Sequence, residues 1–178
     1  MKQKIKKALE EPGKIAPYLY WNTLGNLHCL PYRLFYKKQY NKLHKYLFKE
    51  EKFLLIILDA CRYDYFFDEY RNFFKGDLEP VYSSGRNTFE YTKNTYDRDH
   101  TDMLYVSGAL PINPVYTEEN APELYKEKYL PKEHLRIEDV CNKAWDPELG
   151  TVPPEEVTKA TQKNKEEKMV AHYFQPHS

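Results

Sequence analysis

The sequence predicts an α/β fold, a largely parallel sheet flanked by helices, and three observations carry that expectation. Residues 53–58, FLLIIL, form a continuous apolar run of strand length between charged flanks, as in strands buried on both faces of a sheet. Strand-like and helix-like segments then alternate as far as residue 174, the pattern of parallel strands joined by helical crossovers. Turn and helix-stop residues, Pro12-Gly13, Gly76 and Ser83-Ser84-Gly85, punctuate the segments at their boundaries.

Taken in order, a short charged segment ends at Pro12-Gly13 and an aromatic stretch runs from Tyr18 to Trp21. Residues 33–50 follow as a helix whose Leu34, Phe35, Leu43, Tyr46 and Leu47 share a side, with lysines opposite. FLLIIL is then the expected central strand. It runs into Asp59-Ala60-Cys61-Arg62-Tyr63-Asp64 and a helix through Phe66, Phe67, Tyr70 and Phe74, closed by Gly76. A short extended segment ends at Pro80-Val81-Tyr82, and a helix starts at Thr88. Met103 to Val106 is the next strand. After a Pro- and Asn-rich loop, Leu135 to Val140, Pro154 to Glu167 and Met169 to Phe174 read as strand, helix and strand.

The chain has 178 residues, 41% apolar and 30% charged, which suits one globular body and excludes collagen, coiled coil and a membrane-spanning helix. Aromatic residues make up 16%, mainly 17 tyrosines, whose hydroxyls need partners when buried. The zero net charge is uneven. Residues 1–50 hold 11 basic and 3 acidic residues, so of the 27 of each sign, 16 basic and 24 acidic fall in the remainder. The expected division is therefore a basic, mostly helical extension, 1–50, followed by an α/β body, 51–178. Cys29, Cys61 and Cys141 are an odd number at wide spacing, against a disulfide framework or zinc ribbon. The N-terminus lacks the apolar core and cleavage site of a secretory signal, and a cytoplasmic protein is expected.

In open α/β sheets reactive groups collect at the carboxyl ends of strands, and three points of this chain meet that description. Asp59 directly follows FLLIIL, where a carboxylate is costly unless a metal ion, Arg62 or backbone amides receive it. The loop Tyr82-Ser83-Ser84-Gly85-Arg86-Asn87-Thr88 delivers hydroxyls to the start of a helix. A hydroxyl there can serve as a nucleophile beside an anion-binding helix end, and the plain N-cap role is the favoured reading. In the terminal strand, His172 alternates with apolar neighbours and reads as a half-buried packing residue, whereas His177, after Gln175-Pro176, is the better candidate for handling a phosphate. Asp97-Arg98-Asp99-His100-Thr101-Asp102 lacks the Gly and Glu that an EF-hand loop requires and reads as a solvated turn. The lysines of 1–50 read as a solvated helix face, so no nucleic-acid partner is expected; contact with an acidic membrane surface is the alternative they leave open.

Together FLLIILDACRYDYF, PVYSSGRNTFEYTKNTY, DMLYVSG, WDPELGTVPPEEVTKA and VAHYFQPHS resemble, over residues 53–178, the sulfatase-like branch of the alkaline phosphatase superfamily, especially uncharacterised archaeal members. The resemblance implies that Asp59 binds a divalent metal, zinc or a similar ion. It implies that Thr88, with Ser84 the weaker choice, is the nucleophile and also touches the metal, and that His177 helps hold the phosphate or sulfate of an ester substrate. No Cys stands in the nucleophile loop, so a phosphoryl-type reaction is implied rather than oxidised-cysteine sulfatase chemistry. The family completes its metal sites with an Asp-His pair beyond the QPH-like segment. The expectation is therefore an N-terminal portion of such an enzyme, with weak or no metal binding by this chain alone and a second chain as one source of the remaining ligands. The rival expectation is a non-catalytic α/β module that binds an acidic partner or membrane surface through its basic half.

Overall fold

The computed structural model describes Leu24 and residues 27–113 and 134–175. In chain order the elements are α1 (Leu30–Phe35), β1 (Lys37–Lys38), α2 (Gln39–Lys49), β2 (Phe53–Leu58), α3 (Tyr63–Phe73), β3 (Val81–Tyr82), α4 (Thr88–Thr95), β4 (His100–Ser107), β5 (Leu135–Asp139), α5 (Val140–Ala144), α6 (Pro154–Asn164) and β6 (Lys168–Tyr173). The fold is α/β. Strands β2, β6, β4 and β5 lie side by side in that order, every pair parallel, and β1 and β3 form a separate parallel pair.

Alternation along the strands sends side chains to two cores. On one face Met103, Tyr105, Leu135 and Val170, with Phe53, Leu55 and Ile57, pack against Leu43 and Leu47 of α2 and Tyr91 and Tyr96 at α4. On the other face Leu104, Val106, Met169 and Ala171 meet Val140 and Cys141 of α5 and Val157 of α6. Helices thus cover both faces of the inner strands, as parallel sheets require. The chain enters α6 through Pro154 with Glu155 and Glu156 in its first turn, which suits the positive end of the helix dipole.

The structure departs from the sequence reading at several elements. Among the described strands FLLIIL lies at the edge, not the centre, because β6 inserts between it and β4. No described helix packs on the face that carries Leu54 and Ile56, which are 53% and 48% exposed. The expected helix over 33–50 is broken at Tyr36–Lys38, where the chain turns extended to pair Lys37 with Val81 and Lys38 with Tyr82. Leu34, Phe35 and Tyr46 are therefore exposed, and only Leu43 and Leu47 of the expected stripe reach the core. Helix α3 ends at Phe73, three residues before Gly76, when the Phe74 N–H bonds back to the Tyr70 carbonyl. It buries no residue despite its aromatic rows. The helix expected over 154–167 ends at Asn164, where Lys165 takes a left-handed conformation.

Candidate functional site at the carboxyl end of the sheet

Strand register builds the site. Ile57 of β2 pairs with His172 of β6, which pairs in turn with Ser107 of β4. The ladder runs one residue beyond β2, where the Asp59 N–H donates to the Tyr173 carbonyl over 3.0 Å. Asp59 thus leaves β2 on the same face as Ile57, two residues further toward the carboxyl end. Directly afterward Ala60 adopts φ +56°, a left-handed conformation that a non-glycine residue rarely takes, and the Cys61 N–H returns to the Leu58 carbonyl. This turn stops the strand and leaves the Asp59 side chain at its mouth.

Helix α4 brings the second group. Its N-cap is Asn87, whose side-chain oxygen accepts from the Glu90 N–H over 2.9 Å. Glu90 reaches back to accept from the Arg86 N–H at 3.0 Å and from the Arg86 guanidinium, which holds its carboxyl below the ordinary value. The cap is therefore supplied without Thr88 or Ser84, contrary to the favoured reading of those hydroxyls. Thr88, at the first helical position, instead donates from Oγ1 to Asp59 Oδ2 over 3.1 Å, across 29 residues of sequence. Gly85 makes this approach feasible: a Cβ there would lie 2.0 Å from the Tyr91 backbone nitrogen, so the loop can press on the first turn of α4 only with glycine. The Ser84 carbonyl accepts from Asn94 at 2.7 Å, and its hydroxyl is buried without a hydrogen-bond partner. Arg62 is not the receiver of Asp59; its guanidinium forks onto Asp64.

The third group is His172, which the sequence reading placed among packing residues. It is 1% exposed, and its Nε2 lies 4.0 Å from Asp59 Oδ2. Its Nδ1 is hydrogen-bonded to the buried Tyr105 hydroxyl at 2.8 Å, while Nε2 has no hydrogen-bond partner. Burial pushes the His172 imidazole down to about 4, only partly offset by the Asp59 carboxylate, so the ring is neutral at pH 7. Burial likewise drives the Tyr105 hydroxyl well above its ordinary value and keeps it protonated. Periodicity alone could place His172 on the Val170 face. Its neighbours come from positions 67 and 113 residues away, and no local pattern signals them.

His177 lies outside the described residues, as does nearly all of the segment before Leu27. Its neighbour Gln175 donates to Thr151 Oγ1 at 3.0 Å and to the Val152 carbonyl at 2.8 Å, tying the strand exit to the turn before α6. Asp99 and His100 stand at the amino end of β4, the opposite end of the sheet, where the His100 ring lies tilted against Phe48 with centroids 4.7 Å apart. The described cysteines are free, and burial raises the Cys141 thiol to about 11, which leaves it inert as a nucleophile.

Among the described residues no group of three or more His, Cys, Asp or Glu is arranged to hold a metal ion. The donors gathered at Asp59 are one carboxylate, one hydroxyl and one imidazole, oxygen and nitrogen types that zinc accepts. His172 Nε2, beside Asp59, is one of seven buried side-chain polar atoms without a hydrogen-bond partner among the described residues, so the set is a fit for a cation by donor type and by that open nitrogen. No helix among the described residues is long and apolar enough to cross a membrane. No protein-family model matches the chain, and no match was found among curated proteins or among solved structures.

Proposed function

We propose that this chain carries the nucleophile side of a metal-dependent hydrolase or transferase acting on phosphate or sulfate esters, of the sulfatase-like alkaline phosphatase type. The observation that carries the reading is the 3.1 Å hydrogen bond from Thr88 to Asp59. The two residues to which the family resemblance assigns metal binding and nucleophilic attack meet at the carboxyl end of a parallel sheet, where such folds do their chemistry.

Asp59 and Thr88 would hold the divalent ion, with zinc suited to their oxygen donors. Bound there, the ion would lower the pKa of the Thr88 hydroxyl and screen the ester's negative charge. The remaining work falls to the chain. Thr88 presents its oxygen at the first helical position, with Asn87 rather than Thr88 committed to capping. The Thr88 proton already points at the Asp59 carboxylate, so the hydroxyl is oriented before substrate arrives. The positive end of the α4 dipole favours the non-bridging oxygens of a tetrahedral anion beside Thr88. His177, two residues beyond the Gln175 anchor, is the proposed further contact to that anion.

The experiment pairs Thr88→Ala and Asp59→Asn with the parent chain. Aryl phosphate, phosphodiester and aryl sulfate probes are supplied with Zn²⁺ or Mn²⁺, and both turnover and a phosphoryl adduct on the intact protein are followed. Metal-dependent hydrolysis or an adduct lost in both variants supports the reading. Equal activity in Thr88→Ala and parent removes Thr88 as nucleophile, and turnover or an adduct that both variants retain overturns the reading for this chain.

A further inference from the structure

We infer that His172 Nε2 is a third protein ligand of the divalent cation at Asp59 and Thr88, a role that rests on the metal-dependent reading above. Three observations converge on that atom. First, it is fully buried and has no hydrogen-bond partner, whereas buried polar atoms in folded proteins almost always have one. The orphan is the nitrogen nearest Asp59.

Second, the ring is held as a ligating imidazole is held. Metal-bound histidines have their other ring nitrogen fixed by an outer partner, which sets both tautomer and orientation. Here Tyr105 Oη grips Nδ1 at 2.8 Å, and the two rings meet edge to face with centroids 5.9 Å apart. When Nδ1 carries the proton and donates it to Tyr105, Nε2 presents a lone pair toward a carboxylate oxygen. A lone pair and a carboxylate repel across 4.0 Å, and a cation between them turns the repulsion into two bonds.

Third, the spacing suits a small divalent ion. Bonds of about 2.0–2.2 Å to a tetrahedral zinc put neighbouring donor atoms roughly 3.3–3.6 Å apart. The Thr88 Oγ1 to Asp59 Oδ2 distance is 3.1 Å and the His172 Nε2 to Asp59 Oδ2 distance is 4.0 Å, one on either side of that span. The competing arrangement puts the proton on Nε2 and aims it at the carboxylate, which would make His172 a positioning residue for Asp59.

The test is a titration of the full chain, labelled with ¹⁵N at histidine, with ¹¹³Cd²⁺ and in parallel with Zn²⁺, read by NMR and calorimetry. The expected result is a one-bond ¹¹³Cd–¹⁵N coupling at His172 Nε2, with its Nδ1 still protonated. His172→Gln should lower affinity for either ion at least about tenfold, since even an outer-sphere partner is worth that much. The coupling is read on the parent chain and holds even where the variant folds poorly. Ion uptake that Asp59→Asn abolishes, without any coupling at His172, overturns this inference and leaves the metal reading standing. With His172 as a third ligand the chain by itself takes up the ion, in place of the weak or absent binding its sequence suggests, so no uptake of either ion at millimolar concentration overturns both.

Discussion

Replacing Tyr105 by phenylalanine isolates the contact that fixes His172. Tyr105 is fully buried, as is His172, and its hydroxyl is the partner of Nδ1 at 2.8 Å. Phenylalanine fits the same space and leaves Nδ1 unpaired beside an Nε2 that already lacks a partner. A buried polar group stripped of its partner costs about 1–3 kcal/mol, so a loss of about 2 kcal/mol is expected. For a chain of this size that lowers the melting temperature by about 4–8 °C. The assay is urea unfolding of the chelated protein at pH 7.5, with a lower midpoint and an unchanged slope. In a His172→Leu background the buried Tyr105 hydroxyl is itself stranded, so the same substitution should stabilise rather than cost, and the coupling across the cycle then exceeds about 2 kcal/mol. Additive effects, or a Tyr105→Phe chain as stable as its parent, would refute the account of His172.

Other expectations follow from the same geometry. The folded chain keeps His172 neutral down to about pH 4, while the unfolded chain protonates it near 6.5. Stability is thus full above pH 6.5 and falls as pH drops through that window, by up to about 1.4 kcal/mol per pH unit, with burial of His100 acting in the same direction. Chelated His172→Gln should show a flatter profile by thermal melting between pH 4 and 7. Gly85→Ala puts a Cβ 2.0 Å from the Tyr91 nitrogen and should force the loop off α4, read as a lower melting point and a changed environment for Thr88 in NMR spectra. On the edge strand, Leu55→Ala should cost about 2–4 kcal/mol while Leu54→Ser stays within about 0.5 kcal/mol, because only Leu55 packs on the core; equal losses would mean the outer pleat is covered.

What the sequence determined was the kind of fold and the local chemistry of its segments. Alternation of apolar strands with helical patterns is a property of consecutive residues, so the α/β class and the strands around 53–58, 103–106, 135–139 and 169–173 were legible. So was the placement of Asp59 at a strand's carboxyl end and of Thr88 at a helix start. Tertiary structure decided everything that depends on which strands are neighbours. An apolar hexapeptide looks the same in the middle of a sheet or at its rim, and the insertion of β6 between β2 and β4 made FLLIIL an edge. That same insertion put His172 beside Asp59 and under Tyr105, converting a residue that reads as packing into a polar group of the site with one ring nitrogen unpaired. The cap, too, was settled in space: Asn87 and Glu90 closed the end of α4 and left the Thr88 hydroxyl to Asp59. Period and propensity act over a few residues, whereas the site is made of contacts 29 and 113 residues apart, and only strand order brings those together.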